Sequence, residues 1–131
     1  MASNQKFDFV ISGAGLVGCL VASQLSNLGL KCCLIEKNKI KDILSFNNYS
    51  PLSLNYRSYL TLKKFNLWEK ILPHAYPIRN LNIKSYHSLN RLTFNAKDID
   101  LNELGYVIDR RNLLQEFLNC IKSASNITIF D

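Results

Sequence analysis

Acidic residues are scarce in this 131-residue chain: 10 Asp and Glu face 16 Lys and Arg, for a net charge of +6. The cations nevertheless come in ones and twos, so no concentrated basic face or nucleic-acid motif arises, and nucleic acid is excluded as a partner. What the charge supports is a mild preference for anionic surfaces. The 4 cysteines, Cys19, Cys32, Cys33 and Cys120, form no CxxC pair. His74 and His87 lie far apart without ligand spacing, so no metal site is expected. Thiols in an apolar helix and strand predict structural burial and a reducing compartment. No apolar run is long enough to cross a bilayer, and Met1–Lys6 is short, polar and unlike a signal peptide. The expected location is cytoplasmic, with peripheral contact at the inner face of a membrane compatible with the charge. The length fits one domain, and 47% hydrophobic residues suffice for its core.

The most informative spacing lies between Phe7 and Glu36. A strand-like run, Phe7-Asp8-Phe9-Val10-Ile11-Ser12, leads into Gly13-Ala14-Gly15-Leu16-Val17-Gly18, then an apolar helical run to Gly29, then Cys32-Cys33-Leu34-Ile35-Glu36. This is a dinucleotide-binding fingerprint in the strand–turn–helix–strand context it requires. Gly13 permits the tight turn, Gly15 lets backbone approach a pyrophosphate, and Gly18 lets helix and strand lie close. The phosphates are then expected at the helix N-terminus. Glu36, at the end of the second strand, is placed to accept hydrogen bonds from an adenosine ribose. A carboxylate there suits FAD or NAD better than NADP. Gly13, Ala14, Gly15, Leu16, Val17, Gly18, Glu36 and the adjoining Lys37 make up the candidate cofactor-binding set. An ordinary strand–helix–strand unit without a ligand is the disfavoured alternative.

Leu16, Val17, Leu20, Val21, Ala22, Leu25 and Leu28 predict a helix lying on a sheet, stopped by Gly29. The second strand reads as parallel and covered on both faces, with Val10 and Ile35 in the core. Lys37–Ser50 reads as a loop, Ser53–Phe65 as a helix, and Leu67–Leu72 as a short helix ending at Pro73. After Pro77, which bars helix, Leu81–Tyr86 and Arg91–Phe94 alternate as antiparallel strands in a small separate sheet. Gly105–Ile108 reads as a strand, Arg111–Ile121 as a helix and Asn126–Phe130 as a last strand, expected beside the first. More strands should follow in a complete doubly wound enzyme. The expected fold is α/β: a Rossmann-like FAD-binding fold with a parallel sheet and helices, a small antiparallel β insertion, and the character of a truncated or N-terminal part of a longer enzyme.

Asp8-Phe9-Val10-Ile11 with its glycine turn, Leu67-Trp68, Pro77-Ile78 and Gly105-Tyr106-Val107-Ile108-Asp109-Arg110-Arg111 leading to Leu114 and Leu118 resemble the FAD-dependent aromatic-ring hydroxylases of ubiquinone biosynthesis. These are flavoprotein monooxygenases, and the resemblance covers the whole chain but only the N-terminal portion of a full member. It implies that residues 1–131 are the N-terminal part of an FAD-binding domain and that roughly 77–108 begin a substrate-side antiparallel insertion. It further implies FAD as cofactor, NADH or NADPH as electron donor, and transfer of one oxygen atom from O2 to the ring of a polyprenyl-phenol ubiquinone precursor. Gly13, Gly15 and Gly18 would serve the pyrophosphate, Glu36 the ribose, and Arg111 the phosphate–ribityl region through its two-pronged guanidinium. A peripheral membrane contact or a ubiquinone-pathway protein complex is implied as partner.

The chain departs from the family pattern at Ser50, where full members usually carry an arginine that Arg57 does not replace in register, and at Arg110, where Asn is usual. The later Asp-Gly and Gly-Asp motifs would fall beyond Asp131. No catalytic residue can be named. Asp98, Asp100 and Glu103 read as solvated, Trp68 as core, and Tyr49, Tyr56 and Tyr59 as packing residues with a ring-binding pocket as the alternative. Arg111 paired with Asp109 as an ordinary first-turn residue is its alternative role. The rival functions are a non-catalytic nucleotide-binding remnant or partner-dependent subunit and, less favoured, an NAD-dependent dehydrogenase domain.

Overall fold

The computed structural model describes residues 5–45, 50–85 and 91–131. Tyr49, Tyr86 and His87 lie outside them. Where the length alone suggests one core, the chain divides into two compact units, Met1–Tyr49 with Arg111–Asp131, and Ser50–Arg110.

The first unit is built on a parallel sheet of β1 (Phe9–Ser12), β2 (Cys32–Ile35) and β8 (Ile127–Phe130), with β2 in the centre. Cys32, Cys33 and Leu34 are buried, as a central parallel strand requires. The last strand was expected beside β1; it pairs instead with β2, Cys32 facing Ile127 and Ile35 facing Phe130. Backbone bonds from Cys32 N–H to Asn126 O and from Glu36 N–H to Phe130 O, at 2.9 and 2.8 Å, extend the ladder beyond both ends. Val10 and Ile35, expected in the core, are more than half exposed. Their positions explain it: β1 pairs on one side only among the described residues, and Ile35 ends its strand.

Helix α1 (Leu16–Asn27) joins β1 to β2 and buries Cys19 and Ala22 completely. Only part of the predicted apolar face is covered, since Val17, Val21 and Leu28 stay exposed. Gly29 takes a φ of +79° after the helix. Leu30 N–H reaches Leu25 O and Gly29 N–H reaches Ser26 O, which together form the C-terminal cap that a left-handed glycine allows. Asn126 locks this end, its Nδ2 donating to Ser26 O and Leu30 O at 3.1 and 2.8 Å. Helix α5 (Arg110–Lys122) buries Leu113, Leu114, Phe117, Leu118 and Ile121 along one face. The stretch expected as a loop after Glu36 contains a short helix, α2 (Ile40–Ser45), whose first N–H is satisfied by Asp131 Oδ2 at 2.7 Å. No sequence period announces so short a helix.

The second unit is antiparallel. Strand β7 (Gly105–Asp109) lies between β3 (Pro51–Asn55) and β4 (Ala75–Ile78), and β5 (Asn80–Lys84) pairs with β6 (Arg91–Asn95) in a sheet of two strands. The expected hairpin is therefore present, but β3 and β4 were not foreseen. Pro51–Asn55 was read as helix from Ser53 onward. In fact Leu54 alternates inward in a strand, Asn55 Oδ1 accepts Ser58 N–H at 2.8 Å, and helix α3 (Tyr56–Lys64) starts only there. Pro77 is tolerated because β4 is an edge strand. Helix α4 (Trp68–Ile71) passes through a 3-10 turn, Leu72–His74, that includes Pro73. Leu54, Leu62, Leu67, Trp68, Ile71, Tyr106 and Ile108 form this unit's core. A Cβ on Gly105 would overlap the Leu54 carbonyl oxygen, so β3 and β7 approach this closely only because that residue is glycine. Among the described residues no helix is long and apolar enough to cross a membrane.

Candidate nucleotide-binding site

The glycine turn connects β1 to α1 in the first unit. Gly13 holds a φ of +94°, a conformation that side chains resist, and its N–H continues the ladder to Ile35 O at 2.8 Å. A Cβ on Gly18 would overlap the Gly13 carbonyl oxygen, so the helix can cross the turn this tightly only with glycine there. A Cβ on Gly15 would meet nothing within 4 Å. These glycines therefore do different work: Gly13 and Gly18 shape the turn, and Gly15 keeps the space in front of it open.

Gly15 is also the N-cap of α1, and it offers no side chain to the helix end. The first helical bond runs from Cys19 N–H to Gly15 O at 2.9 Å, which leaves the N–H groups of Leu16, Val17 and Gly18 outside the intrahelical ladder. The first turn carries no acidic residue. Open space before an uncapped, acid-free end of a 12-residue helix suits an anion such as a pyrophosphate. The residues present thus fit the phosphates of a dinucleotide. Val17, in this first turn, is 76% exposed.

Ala14 has a different part. It is fully buried, its N–H donates to Glu36 Oε2 at 2.9 Å, and its carbonyl accepts the Cys19 thiol at 3.2 Å. It is framework, fixed from both sides. Glu36 therefore spends one oxygen on the turn, and its Oε1 accepts the Asn38 N–H at 3.1 Å. Each carboxylate oxygen retains further acceptor capacity for a ribose hydroxyl. The Ala14 N–H first, then that of Asn38, hold the Glu36 carboxyl below its usual range, so it is ionised at neutral pH. Burial, with the Glu36 charge second, pushes the Cys19 thiol up to about 11, which keeps it protonated and able to donate. Cys19 was expected to be mere packing. Its place five residues after Ala14, on the inner face of the helix, is the signal that its thiol could reach back to the turn. Lys37 is exposed beside Glu36, and Arg111 is exposed in the first turn of α5.

The other candidates do not gather at a site. Glu103 supports Tyr106, whose phenol burial and then Glu103 push up to about 12. Tyr59, Trp68 and Tyr106 pack ring to ring, with centroids 4.5 to 5.2 Å apart, so the half-buried Tyr59 is a packing residue. Tyr56 packs at a tilt against Tyr59, with ring centroids 5.4 Å apart. Ser50 accepts the Arg110 N–H through its carbonyl, and Arg57 lies on α3. Among the described residues no cluster of three metal-ligating side chains occurs.

No family model matches the chain. It is 27% identical over 128 residues to an uncharacterized protein of Synechocystis, covering 98% of this chain and 30% of that protein. It is 26% identical over 129 residues to the ubiquinone hydroxylase UbiM of Neisseria meningitidis, covering 93% of this chain and 28% of the relative. Among solved structures, PqsL of Pseudomonas aeruginosa in complex with 2-aminobenzoylacetate superposes with a TM-score of 0.77 at 16% identity, over 95% of this chain and 33% of that one. The flavin-dependent monooxygenase PieE, bound to FAD and substrate, superposes with a TM-score of 0.74 at 15% identity, over 98% of this chain and 24% of that one. The chain thus has a fold found in flavin-dependent monooxygenases and spans about 30% of the length of the relatives it matches.

Proposed function

We propose that this chain is the FAD-binding portion of a flavin-dependent monooxygenase that hydroxylates the aromatic ring of a ubiquinone precursor, with NADH or NADPH as electron donor. The observation that carries the reading is the glycine turn: an open, uncapped helix N-terminus beside an ionised Glu36, on a Rossmann-like strand–helix–strand unit. FAD supplies the redox chemistry when bound. The backbone N–H groups of Leu16, Val17 and Gly18 hold the pyrophosphate, and Glu36 accepts from the adenosine ribose. Arg111, at the start of α5, serves the phosphate–ribityl side. The ubiquinone-type phenol is favoured by the sequence similarity to UbiM, which covers 93% of this chain.

A second reading is FAD binding without turnover by the residues of this chain, since the match spans about 30% of each relative's length and, among the described residues, no catalytic group gathers beside the glycine turn. The visible spectrum of the purified chain tests the first claim. A flavin band that stays with the protein through gel filtration is expected, and colourless protein whose fluorescence ignores added FAD overturns it. NADH added under air then separates the readings. Flavin-dependent NADH oxidation supports catalysis by this chain, and its absence in flavin-loaded protein supports binding without turnover.

A further inference from the structure

Both backbone polar groups of Ala14 are held by side chains rather than by a ladder. The residue is fully buried, its N–H donates to Glu36 Oε2 at 2.9 Å, and its carbonyl accepts the Cys19 thiol at 3.2 Å. Buried backbone groups need partners, and a thiol is a weak donor that is seldom chosen when packing alone is at stake. Here it is well placed. Cys19 has no exposed surface, and its own N–H makes the first helical bond, to Gly15 O at 2.9 Å. One residue of α1 thus grips two consecutive carbonyls of the turn, one through its backbone and one through its side chain. Burial, with the Glu36 charge second, keeps that thiol protonated and donating.

The consequence falls on the next N–H. The Ala14 carbonyl and the Gly15 N–H belong to one planar peptide unit, which is trans, and in such a unit the two groups point in opposite directions. With the carbonyl directed at the buried thiol, the Gly15 N–H is directed away from the inner face of α1. It therefore joins the N–H groups of Leu16, Val17 and Gly18 that the helix leaves outside its ladder. Nothing else braces this unit strongly. Residue 15 has no Cβ, so its backbone offers little resistance to rotation, and nothing lies within 4 Å of a Cβ built there.

We infer that Cys19 is a positioning residue of the nucleotide site: by donating to the Ala14 carbonyl it fixes the Ala14–Gly15 peptide with the Gly15 N–H turned toward the phosphates. The inference rests on the reading of the turn as the pyrophosphate site of FAD. A thiol that only filled space could be replaced by any side chain of similar size, whereas a positioning thiol must be replaced by another donor.

Three variants test this on the full chain, with FAD and ADP as probes, affinities from fluorescence quenching and calorimetry, and urea midpoints recorded for each protein. Cys19→Ala removes the donor and should weaken both ligands at least fivefold. Cys19→Ser restores a donor in a similar volume and should bind within twofold of the parent. Ala22→Gly weakens the same helix at a buried position away from the turn. It should lower the urea midpoint yet bind within twofold of the parent. Parent-like binding by Cys19→Ala, no recovery in Cys19→Ser, or an equal loss in Ala22→Gly overturns the positioning role. A parent that binds ADP but not FAD sinks the flavin reading, and the expected order of variants on ADP then upholds the role of Cys19. A parent that binds FAD with no difference among the variants does the reverse. A parent that binds neither ligand overturns both.

Discussion

Substituting alanine at two glycines of the same turn should produce opposite kinds of damage. At Gly18 the new Cβ would overlap the Gly13 carbonyl oxygen and lie 3.2 Å from Gly13 C and 3.4 Å from Ile11 Cγ2. Alanine in a helix is worth about 1 kcal/mol over glycine. Overpacking costs about 1–3 kcal/mol, and the obstacle here is backbone that cannot rotate away, so the upper part of that range applies. Gly18→Ala should therefore lose about 1–2 kcal/mol of stability. At Gly15 the backbone is extended at φ −77°, with nothing within 4 Å of the added Cβ. Only the weaker N-cap preference of alanine counts, about 0.5–1 kcal/mol. The Cβ instead projects into the space the pyrophosphate must enter, and an affinity loss of at least tenfold, about 1.4 kcal/mol, is expected. Urea denaturation gives the stabilities and FAD fluorescence quenching the affinities. A Gly15→Ala protein that binds FAD as tightly as the parent would refute the placement of the phosphates in front of this turn.

Three further outcomes follow from the contacts around it. Glu36 has a depressed carboxyl pKa, so its contribution to stability is complete above the ordinary glutamate value of about 4.3 and fades as pH falls through the lower folded value. The parent should be more stable than Glu36→Gln at pH 7 in urea titrations, with the gap closing in acid; a gap independent of pH would contradict the Ala14 contact. Cys19, with its thiol at about 11 and no exposed surface, should resist iodoacetamide at pH 8 in the folded protein and react after unfolding, as read by mass spectrometry. Gly105→Ala places a Cβ onto the Leu54 carbonyl oxygen between β3 and β7, and a loss of about 1–3 kcal/mol should appear as a lowered urea midpoint. An unchanged midpoint would mean that the strands can separate at no cost.

The glycine turn was legible in the chain because each of its roles is local. A positive φ at Gly13, an extended open position at Gly15 and a helix beginning at Leu16 depend on residues within a few positions of one another. The hairpin was legible for the same reason, since period-2 alternation in Leu81–Lys84 and Arg91–Phe94 needs no distant partner to be seen. Strand β3 failed that test. Its five residues lead directly into a helix, and their extended form is decided by β7, fifty or more positions away in the chain.

What the sequence by itself determined is the strand–turn–helix–strand unit, the acidic residue that closes it and the amphipathic ribbon, because backbone preference and side-chain periodicity act over short spans. What only the tertiary structure decided is which neighbours those elements keep. It put β8 against β2 rather than β1, turned the Ala14 N–H to Glu36, brought the Cys19 thiol to the Ala14 carbonyl and left Leu81, Ile83, Leu92 and Phe94 uncovered. Strand order, shared hydrogen bonds and burial are properties of pairs of segments distant in the chain. They are settled by the free energy of packing the whole, which no single stretch encodes.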